Sequence, residues 1–375
     1  LRLSAATTRS CRYSQRTKNN DRRLKEVKAM GRPYALLRVG FSYDKTLGMR
    51  RLTNTPVDLA VDSSGDLFIL CRGGAAFIRH LSQNDEDLGA INLGSGGAAQ
   101  IGGTHSVNAR FVWPASMIMD GGENLWISDE GTNQITVINK QGEVLDQWGE
   151  AGGGEGQFNR QSGMALDPDE NVYVADTRNH RIQKLTNDGQ FLMEFGSYGS
   201  AEGELNMPWG ICVDEIGDVY VADWRNDRVQ KFTADGEFIF SIGRSGDGEG
   251  EFNRPSGVTV DQDGDIYVAD WANSRVQLFR PDGVFVELFR GDATLSRQAL
   301  HYMRSNVKAL RLREMASIEP QKRLRWPVST RVYDHMMYIT DYGSDRIQIY
   351  KKEAYPLGPD EITEEQRSPT LYTQF

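Results

Sequence analysis

Five aspartates recur along the chain at regular intervals and are its first candidates for chemistry. They are Asp129, Asp176, Asp223, Asp270 and Asp341, spaced 47, 47, 47 and 71 residues apart. Four of them are followed five positions later by Arg181, Arg228, Arg275 and Arg346. Carboxylates can act as acid–base groups or metal ligands. A residue type that returns at one position of every repeat is instead expected to brace the repeat. We predict that each Asp accepts hydrogen bonds from loop amides and from the Arg.

The histidines are the second set of candidates, for metal binding or proton transfer. They are His80, His105, His180, His301 and His335, and no shared spacing brings three of them into one site. His180 precedes Arg181 in the repeat, where other copies have Asp227 and Ser274. Because the position varies between copies, we assign His180 to the same structural class. The sequence predicts no catalytic residue, no metal and no cofactor.

The repeated unit predicts the elements that position these residues. In residues 208–243, short β-branched and aromatic runs such as 219–222 and 238–242 alternate with Gly-containing turns. This pattern predicts four short strands joined as a meander. Four strands in a unit of this length are typical of a propeller blade. The sequence therefore predicts an all-β fold.

The segment Asn179-His180-Arg181-Ile182 is close to the motif that gave the NHL-repeat family its name, and the chain resembles that family. Matching units cover residues 52–350 and number six. The resemblance implies a six-bladed β-propeller of four-stranded antiparallel blades. Blade six begins at Trp326 and lacks a convincing fourth strand, whereas Tyr34–Gly40 resembles one. We expect this N-terminal strand to close the ring, which removes open sheet edges.

Charge and composition divide the chain into three parts. Residues 1–29 carry nine Lys or Arg against two acidic residues, a net charge of +7, so the total of −9 leaves −16 on residues 30–375. We expect 1–29 to be a basic leader, disordered or not native to the mature protein, and residues 353–375 to be an acidic disordered tail. The propeller then spans 30–352, with insertions at about 94–112 and 291–325. No apolar stretch is long enough to predict a membrane span.

Varied residues at one end of the propeller are the candidate binding site. Loops between the second and third strands share an end with the connections between blades, and we call this the upper end. Residues there are rich in Trp, Tyr and Arg, the types enriched at binding hot spots. The predicted binding residues are Arg178, Trp224, Arg225, Trp271, Tyr342, Trp209, Trp113 and Trp326. The alternative is that Trp224 and Trp271 only cover the junctions between blades.

The insertion after blade five is basic and has apolar residues at helical spacing over 294–315, with Thr294 or Ser296 as N-cap. Its basic residues are Arg297, Arg304, Lys308, Arg311, Arg313 and Arg325. We expect both insertions to stand above the upper end. The basic run is either a solvated helix face or a docking site for an acidic partner or an anion.

These observations favour a non-catalytic scaffold that binds a protein or peptide partner. A channel-centred, metal-dependent lyase or hydrolase is the alternative that the family resemblance allows, but no His begins an inner strand. RNA binding through the basic insertion is a second alternative, which the −16 body disfavours. Three cysteines without CxxC spacing are too few for a RING finger and favour a reducing, cytoplasmic setting. We expect a monomer.

Overall fold

The structure is a computed structural model that describes residues 35–50, 52–93, 105–306, 311 and 319–357. Two compact units divide the chain, residues 42–351 in the larger one and residues 1–41 with 352–375 in the smaller one. The basic leader and most of the acidic tail lie outside the described residues. The described strands form six main sheets, each with four antiparallel strands, and one of these sheets has a short fifth strand.

Each of the first three blades is a meander of consecutive strands. Blade 1 comprises β2 (Pro56–Val61), β3 (Leu67–Cys71), β4 (Phe77–Leu81) and β5 (Asp87–Asn92), with the short β6 (His105–Ser106) parallel to β5. Blade 2 comprises β7 (Pro114–Met119), β8 (Leu125–Asp129), β9 (Gln134–Ile138) and β10 (Val144–Trp148). A parallel pair follows, β11 (Glu150–Ala151) and β12 (Gln157–Phe158). Blade 3 comprises β13 (Met164–Leu166), β14 (Val172–Asp176), β15 (Arg181–Leu185) and β16 (Phe191–Phe195).

The remaining blades repeat this order, and the last takes its outer strand from the start of the chain. Blade 4 comprises β17 (Pro208–Val213), β18 (Val219–Asp223), β19 (Arg228–Phe232) and β20 (Phe238–Ile242). Blade 5 comprises β21 (Pro255–Val260), β22 (Ile266–Asp270), β23 (Arg275–Phe279) and β24 (Phe285–Phe289). Blade 6 comprises β25 (Pro327–Tyr333), β26 (Met336–Asp341) and β27 (Arg346–Leu357), with β1 (Ala35–Leu47) outermost beside β27.

Helical structure in the described residues is short. It consists of α1 (Arg297–Arg304), α2 (Glu319–Lys322) and the 3-10 turns Thr177–Asn179 and Tyr342–Ser344. Within the described ranges, no helix has the length and apolar character needed to cross a bilayer. Only the α1 part of the predicted helix over 294–315 can be compared with the structure, because residues 307–310 and 312–318 are outside the described residues.

Apolar side chains on both faces of the sheets are buried against neighbouring blades. Successive residues of a strand point to opposite faces. Accordingly Ile69 of β3 packs in one cluster with Ile347 of blade 6, and its neighbour Leu70 packs in another with Met117 of blade 2. Because both faces are covered, the second strands of blades 1 to 5 are buried along their whole length. Contact between blade 6 and blade 1 completes the ring of blades.

A buried carboxylate holds the upper end of each repeated blade. In blade 4, Asp223 is fully buried and lies opposite Pro208, where the inner strand begins. Its Oδ1 accepts a hydrogen bond from the Asn206 backbone amide at 2.7 Å. Its Oδ2 accepts from Arg228 Nε at 2.9 Å and from Asn226 Nδ2 at 2.8 Å. An ionised buried group is tolerated when it is paired and hydrogen-bonded in this way.

Three other blades have the same network, and two depart from it. Asp176, Asp270 and Asp341 each accept from the Arg five positions later, at 3.0, 2.6 and 2.7 Å. Asp129 has no such Arg and accepts backbone amides instead, from Val112, Trp113, Gly131 and Thr132. Blade 1 has Cys71 at this position, and burial raises the pKa of that thiol, which keeps it protonated at neutral pH.

Glycines allow three neighbouring inner strands to approach closely. A Cβ on Gly210 would lie 2.6 Å from the Ser256 carbonyl oxygen and 2.7 Å from the Gly257 Cα. Gly163 is equally restricted, and its amide donates to the Trp209 carbonyl at 2.9 Å. Distances under 3.0 Å force the backbone to shift. The channel wall formed by blades 3, 4 and 5 is therefore backbone packed on backbone.

We expect Gly210→Ala to destabilise the protein by about 1–3 kcal/mol, because the new methyl group overpacks this wall. Thermal unfolding followed by circular dichroism measures the effect. Gly153→Ala is the matched control, since a Cβ at Gly153 would meet nothing within 4 Å. Equal stability losses in the two variants would contradict the close approach of the inner strands.

An ion triplet joins blades 1 and 2 at the lower end. Lys140 Nζ lies 2.6 Å from Asp62 Oδ2 and 2.5 Å from Glu123 Oε2. Burial raises the pKa of Asp62, but hydrogen bonds from Lys140 and Ser64 outweigh it and lower that pKa to about 2. The hydrogen bond from Lys140 lowers the pKa of Glu123 to about 2 as well. Both carboxylates therefore stay ionised in the folded protein at pH values where they are protonated in the unfolded chain.

We expect Lys140→Met to lower stability by about 1 kcal/mol at pH 7. Because the folded pKa values lie below the unfolded ones, the triplet contributes fully well above pH 4 and is lost as the pH falls towards 2. The melting temperatures of the wild type and of Lys140→Met should therefore converge as the pH falls from 7 to 2. Lys351→Met, which removes an exposed lysine, is the control. A stability difference that did not change with pH would argue against the triplet.

Candidate functional site

The residue before each third strand orients side chains at the upper end. At five of the six junctions this residue has a positive φ and accepts a hydrogen bond from the backbone amide of a residue that leads into the next inner strand. The pairs are Asn133 with Arg160, His180 with Met207, Asp227 with Arg254, Ser274 with Trp326, and Asp345 with Thr55, at 2.8, 3.0, 2.7, 3.3 and 2.8 Å. The five amide donors also have φ between 50° and 57°. This backbone conformation sends their side chains out at the start of the inner strands.

His180 has the position and the contact of Asp227 and Ser274. Its Nδ1 accepts the Met207 amide, which requires that nitrogen to be unprotonated. Burial lowers the pKa of His180, which favours the neutral ring. The contact links blades 3 and 4.

Aromatic and arginine side chains at the upper end form a surface that we call the upper ring. Its members come from the starts of inner strands and from the loops after second strands. They are Arg72, Trp113, Glu130, Arg160, Arg178, Trp209, Trp224, Arg225, Arg254, Trp271, Arg325, Trp326 and Tyr342. All six blades contribute to it.

Blades 1 and 2 supply the paired part of the upper ring. The Arg72 guanidinium lies 4.5 Å from the centre of the Trp113 ring, and its Nη1 lies 3.3 Å from Glu130 Oε1. Burial raises the pKa of Glu130, and Arg72, Arg160 and Arg178 oppose that shift. Trp113 is 50% exposed although Arg72 covers one of its faces. This part of the ring presents an indole and one neutralised arginine.

Tilted pairs of tryptophan rings continue the surface through blades 4, 5 and 6. The Trp224 ring lies 5.9 Å from Trp209, and both Arg225 and Arg254 have their guanidinium carbons 5.0 Å from its centre. Trp271 lies 6.4 Å from Trp326 across the junction of blades 5 and 6. Trp224 and Trp271 therefore do contact neighbouring blades, and both stay partly exposed. Covering the junction and offering a surface are compatible roles.

Sequence reasoning named eight residues of this surface and missed others. The loop residues Arg178 and Tyr342 lie at the upper end directly after the second strands, as Trp224 and Trp271 do. Arg72, Arg160 and Arg254 were missed. Arg160 and Arg254 each precede an inner strand, at the same repeat position as Trp326. Comparing the repeats at that position would have found them.

The basic insertion differs from its predicted placement. Ser296 caps α1 by accepting the Ala299 amide, and Thr294 bonds Tyr43 instead. The start of α1 contacts the turn after β4, where the Gln298 amide donates to Asp85 at 2.8 Å. That turn is at the end of β4 opposite the upper loops. The described part of α1 is therefore held at the outer edge of blade 1 and does not stand above the upper end.

The basic residues of the insertion do not form one cluster in the described part of the chain. Arg297 forms an ion pair with Glu86 at 2.9 Å. Arg304 and Arg311 are exposed, and Arg325 belongs to the upper ring beside Trp326. Lys308 and Arg313 lie outside the described residues. The predicted docking role of this run stays a prediction.

The central channel contains one buried ion pair that the sequence did not reveal. Asp58 of β2 accepts hydrogen bonds from Arg331 of β25, from Nε at 3.0 Å and from Nη2 at 2.6 Å. Ser116 and Ser329 donate to the same carboxylate at 2.8 and 2.7 Å, and the Met117 amide donates at 3.0 Å. Blades 6, 1 and 2 thus meet on one carboxylate. It stands where blades 3, 4 and 5 have glycine.

The channel has little room beside this pair. The inner strands of all six blades line a space of about 30 Å³, enough for one or two water molecules. No histidine is among the lining residues. In the described ranges, no three His, Cys, Asp or Glu side chains are arranged to hold a metal ion. Cys71 and Cys212 are free thiols, and Cys11 lies outside the described residues.

A larger cavity opens at the lower end of blades 4, 5 and 6. Its volume is about 290 Å³, and its lining combines valines with acidic turn residues, including Val213, Val260, Asp214 and Asp261. The Asp214 and Asp261 carboxylates accept amides of their own turns. These acids are thereby committed to turn structure.

We expect Asp58→Ser to destabilise the protein by about 3–5 kcal/mol, because it leaves Arg331 buried and unpaired. The double variant Asp58→Ser/Arg331→Thr, which removes both charges, should be more stable than that single variant. Urea unfolding of the wild type, both single variants and the double variant gives the coupling energy. Additive effects would show that the pair does not act as a unit.

Comparison with known proteins supports the architecture. A family model described as NHL repeat matches residues 158–185, 205–232 and 252–279. These segments run through blades 3, 4 and 5, from the end of each connecting loop to the third strand. Comparison with curated proteins gives no match.

Solved structures of similar fold cover most of the chain. A catalytically inactive histidine-to-alanine variant of virginiamycin B lyase from Staphylococcus aureus, with quinupristin, has 14% identity and a TM-score of 0.54 over 83% of this chain and 99% of that one. A Bacteroides thetaiotaomicron protein of unknown function has 17% identity and a TM-score of 0.54 over 84% and 76%. At such identities the likeness concerns the fold alone. With six blades and three matched repeats, the chain is a six-bladed β-propeller that contains NHL repeats.

Proposed function

We propose that the propeller is a non-catalytic binding module that holds a protein or peptide partner on the upper ring. One observation supports this most directly. Five tryptophans lie at the upper end of the propeller, and two of them, Trp113 and Trp326, are 50% and 44% exposed. Tryptophan is enriched at binding hot spots because its large ring buries much apolar area at low entropic cost. Clustered exposed indoles are a feature of interaction surfaces.

The channel argues for binding rather than for chemistry in its interior. Asp58 is paired with Arg331 and hydrogen-bonded by two serines, so both charged groups are engaged by partners within the protein. The alternative, a channel-centred lyase or hydrolase, has the lyase neighbour in its favour, whose inactive variant lacks a histidine. The channel lining of this chain offers no histidine for that role.

The proposal is tested by site-specific photo-cross-linking with the full chain. A photoreactive p-benzoylphenylalanine replaces Trp326 in one protein and Ile216 in another, and both are illuminated in lysate of the producing cells. Ile216 is the matched control because it is 45% exposed on a lower turn, against 44% for Trp326. We expect a discrete cross-linked protein at Trp326 and none at Ile216.

A second variant checks the energetic role of the tryptophans. Replacing both Trp113 and Trp326 with Ala should lower partner retention at least tenfold, the size expected for two hot-spot residues. Since both side chains are about half exposed, the melting temperature should change little. Equal cross-linking at Ile216, or retention unaffected by the double substitution, would refute the proposal. Cross-linking to RNA would favour the nucleic-acid alternative.

A further inference from the structure

Five arginines of the upper ring have guanidinium groups that form no close ion pair with any described residue. They are Arg160, Arg178, Arg225, Arg254 and Arg325, and all are exposed. Their backbone amides donate hydrogen bonds, but none of their guanidinium groups forms an ion pair or hydrogen bond with another described residue. This contrasts with the repeat arginines of the third strands, which are all paired. Among the described arginines of the ring, Arg72 forms an ion pair, with Glu130, and that single carboxylate also acts at longer range on Arg160 and Arg178.

The unpaired arginines stand out against the charge of the protein. Residues 30–375 carry a net charge of −16, so acidic partners are plentiful elsewhere. The ring nevertheless has six arginines and one glutamate. Like charges gathered without counter-charges cost free energy in the unbound protein. A ligand that supplies carboxylates to the ring would relieve that repulsion.

Exposed acidic residues border the upper ring on the side of blades 2 to 5, at a greater distance from the channel. They are Glu150, Glu155, Glu202, Asp247 and Glu249, in the loops that connect blades 2 to 5. These loops lie over the third strands, because Arg228 binds the Ala201 carbonyl at 2.8 Å and Arg275 binds the Asp247 carbonyl at 2.6 Å. Third strands lie two strand spacings, about 10 Å, outside the inner strands. The basic surface is therefore bounded by acidic residues on the side of blades 2 to 5, whereas the corresponding loop of blade 6 carries Lys322 and Arg323.

Stacking on tryptophan prepares the arginines for carboxylates. Arg225 and Arg254 each have the guanidinium carbon 5.0 Å from the Trp224 ring centre. An arginine over an aromatic ring keeps its N–H groups free at the edge, where they match the two oxygens of a carboxylate. The Arg254 amide donates to Asp227 and the Arg160 amide donates to Asn133, and these hydrogen bonds hold the backbone of two of the arginines in place. Because these arginines are already held, less conformational entropy is lost when a ligand binds.

We propose that the upper ring recognises an acidic peptide segment, one in which Asp or Glu side chains flank an apolar or aromatic residue. This rests on the proposed function and specifies its partner. The carboxylates would pair with the unpartnered arginines, and the apolar residue would pack against exposed indole. A short segment fits this surface, because beside blades 2 to 5 its positive charge ends where the acidic loops begin. A long polyanion such as RNA that ran across those loops would meet repulsion.

The test uses a random 12-residue peptide library, displayed on phage and panned on the full-length chain. Selected peptides are sequenced and synthesised, and their affinity is measured by fluorescence anisotropy. We expect the enriched peptides to be acidic and to contain an apolar or aromatic residue. Their affinity should fall as sodium chloride rises, because pairing between exposed charges is screened.

Two triple variants with equal loss of charge locate the site. The ring variant is Arg160→Gln/Arg178→Gln/Arg254→Gln, and the control is Arg244→Gln/Arg304→Gln/Arg311→Gln, whose arginines are exposed outside the ring. Glutamine is unbranched at Cβ, as arginine is, so the positive φ of Arg160 and Arg254 is equally tolerated. The selected peptide should bind the ring variant at least tenfold more weakly and the control within twofold of wild type. Both variants should keep the wild-type melting temperature.

Several results would overturn the proposal. Enrichment of neutral or basic peptides, or an equal loss of affinity in the control, would show that the ring arginines do not select acidic segments. A 12-nucleotide oligouridylate that bound more tightly than the best peptide, and was lost in the ring variant, would assign the ring to phosphates. A library that yields no binder would also reject it. In each case partner cross-linking at Trp326 would still report separately on the proposed function.

Discussion

Each repeated blade depends on a carboxylate that has no contact with solvent. The folded state tolerates such a charge only when donors surround it, and in blade 4 these come from a loop amide, Asn226, Gln230 and Arg228. The same arginine binds carbonyls of the connecting loop from the preceding blade. One aspartate thereby fixes the loop after the second strand, the third strand and the connection between blades. The geometry of the blade therefore follows from the hydrogen bonds that this buried carboxylate requires.

The departures from this repeat are where the protein differs from a regular ring. Where the chain closes, blade 1 has Cys71 instead of the aspartate, and Asp58 with Arg331 replaces the close glycine contacts of blades 3 to 5. At the upper end the backbone links are conserved in geometry, whereas the side chains they present change from Arg160 to Met207 to Trp326. The scaffold is thus constant and its presented surface is not. Structural and recognition roles are carried by neighbouring positions of one motif.

The fold could be predicted from the sequence because it repeats. The spacing of Asp176, Asp223 and Asp270 indicated the blade, and the five-residue offset to Arg indicated its internal pairing. The channel ion pair could not be predicted, since Asp58 and Arg331 are 273 positions apart and each occurs once. The placement of α1 was wrong because a helical pattern does not reveal which turn receives its first amides. Arg72, Arg160 and Arg254 of the upper ring were missed because a single arginine beside a strand stands out only when the repeats are compared.

Blade 6 is assembled from segments distant in sequence, with β1 (Ala35–Leu47) beside β27 (Arg346–Leu357). During synthesis β1 leaves the ribosome roughly 300 residues before its partner, a delay on the order of 15–60 s at typical elongation rates. Blades 2 to 5 are contiguous and can form in that interval. The first strand meanwhile has an unpaired edge, which can pair with β27 of another copy. Ring completion within one chain therefore competes with strand exchange between chains, and dilution favours ring completion.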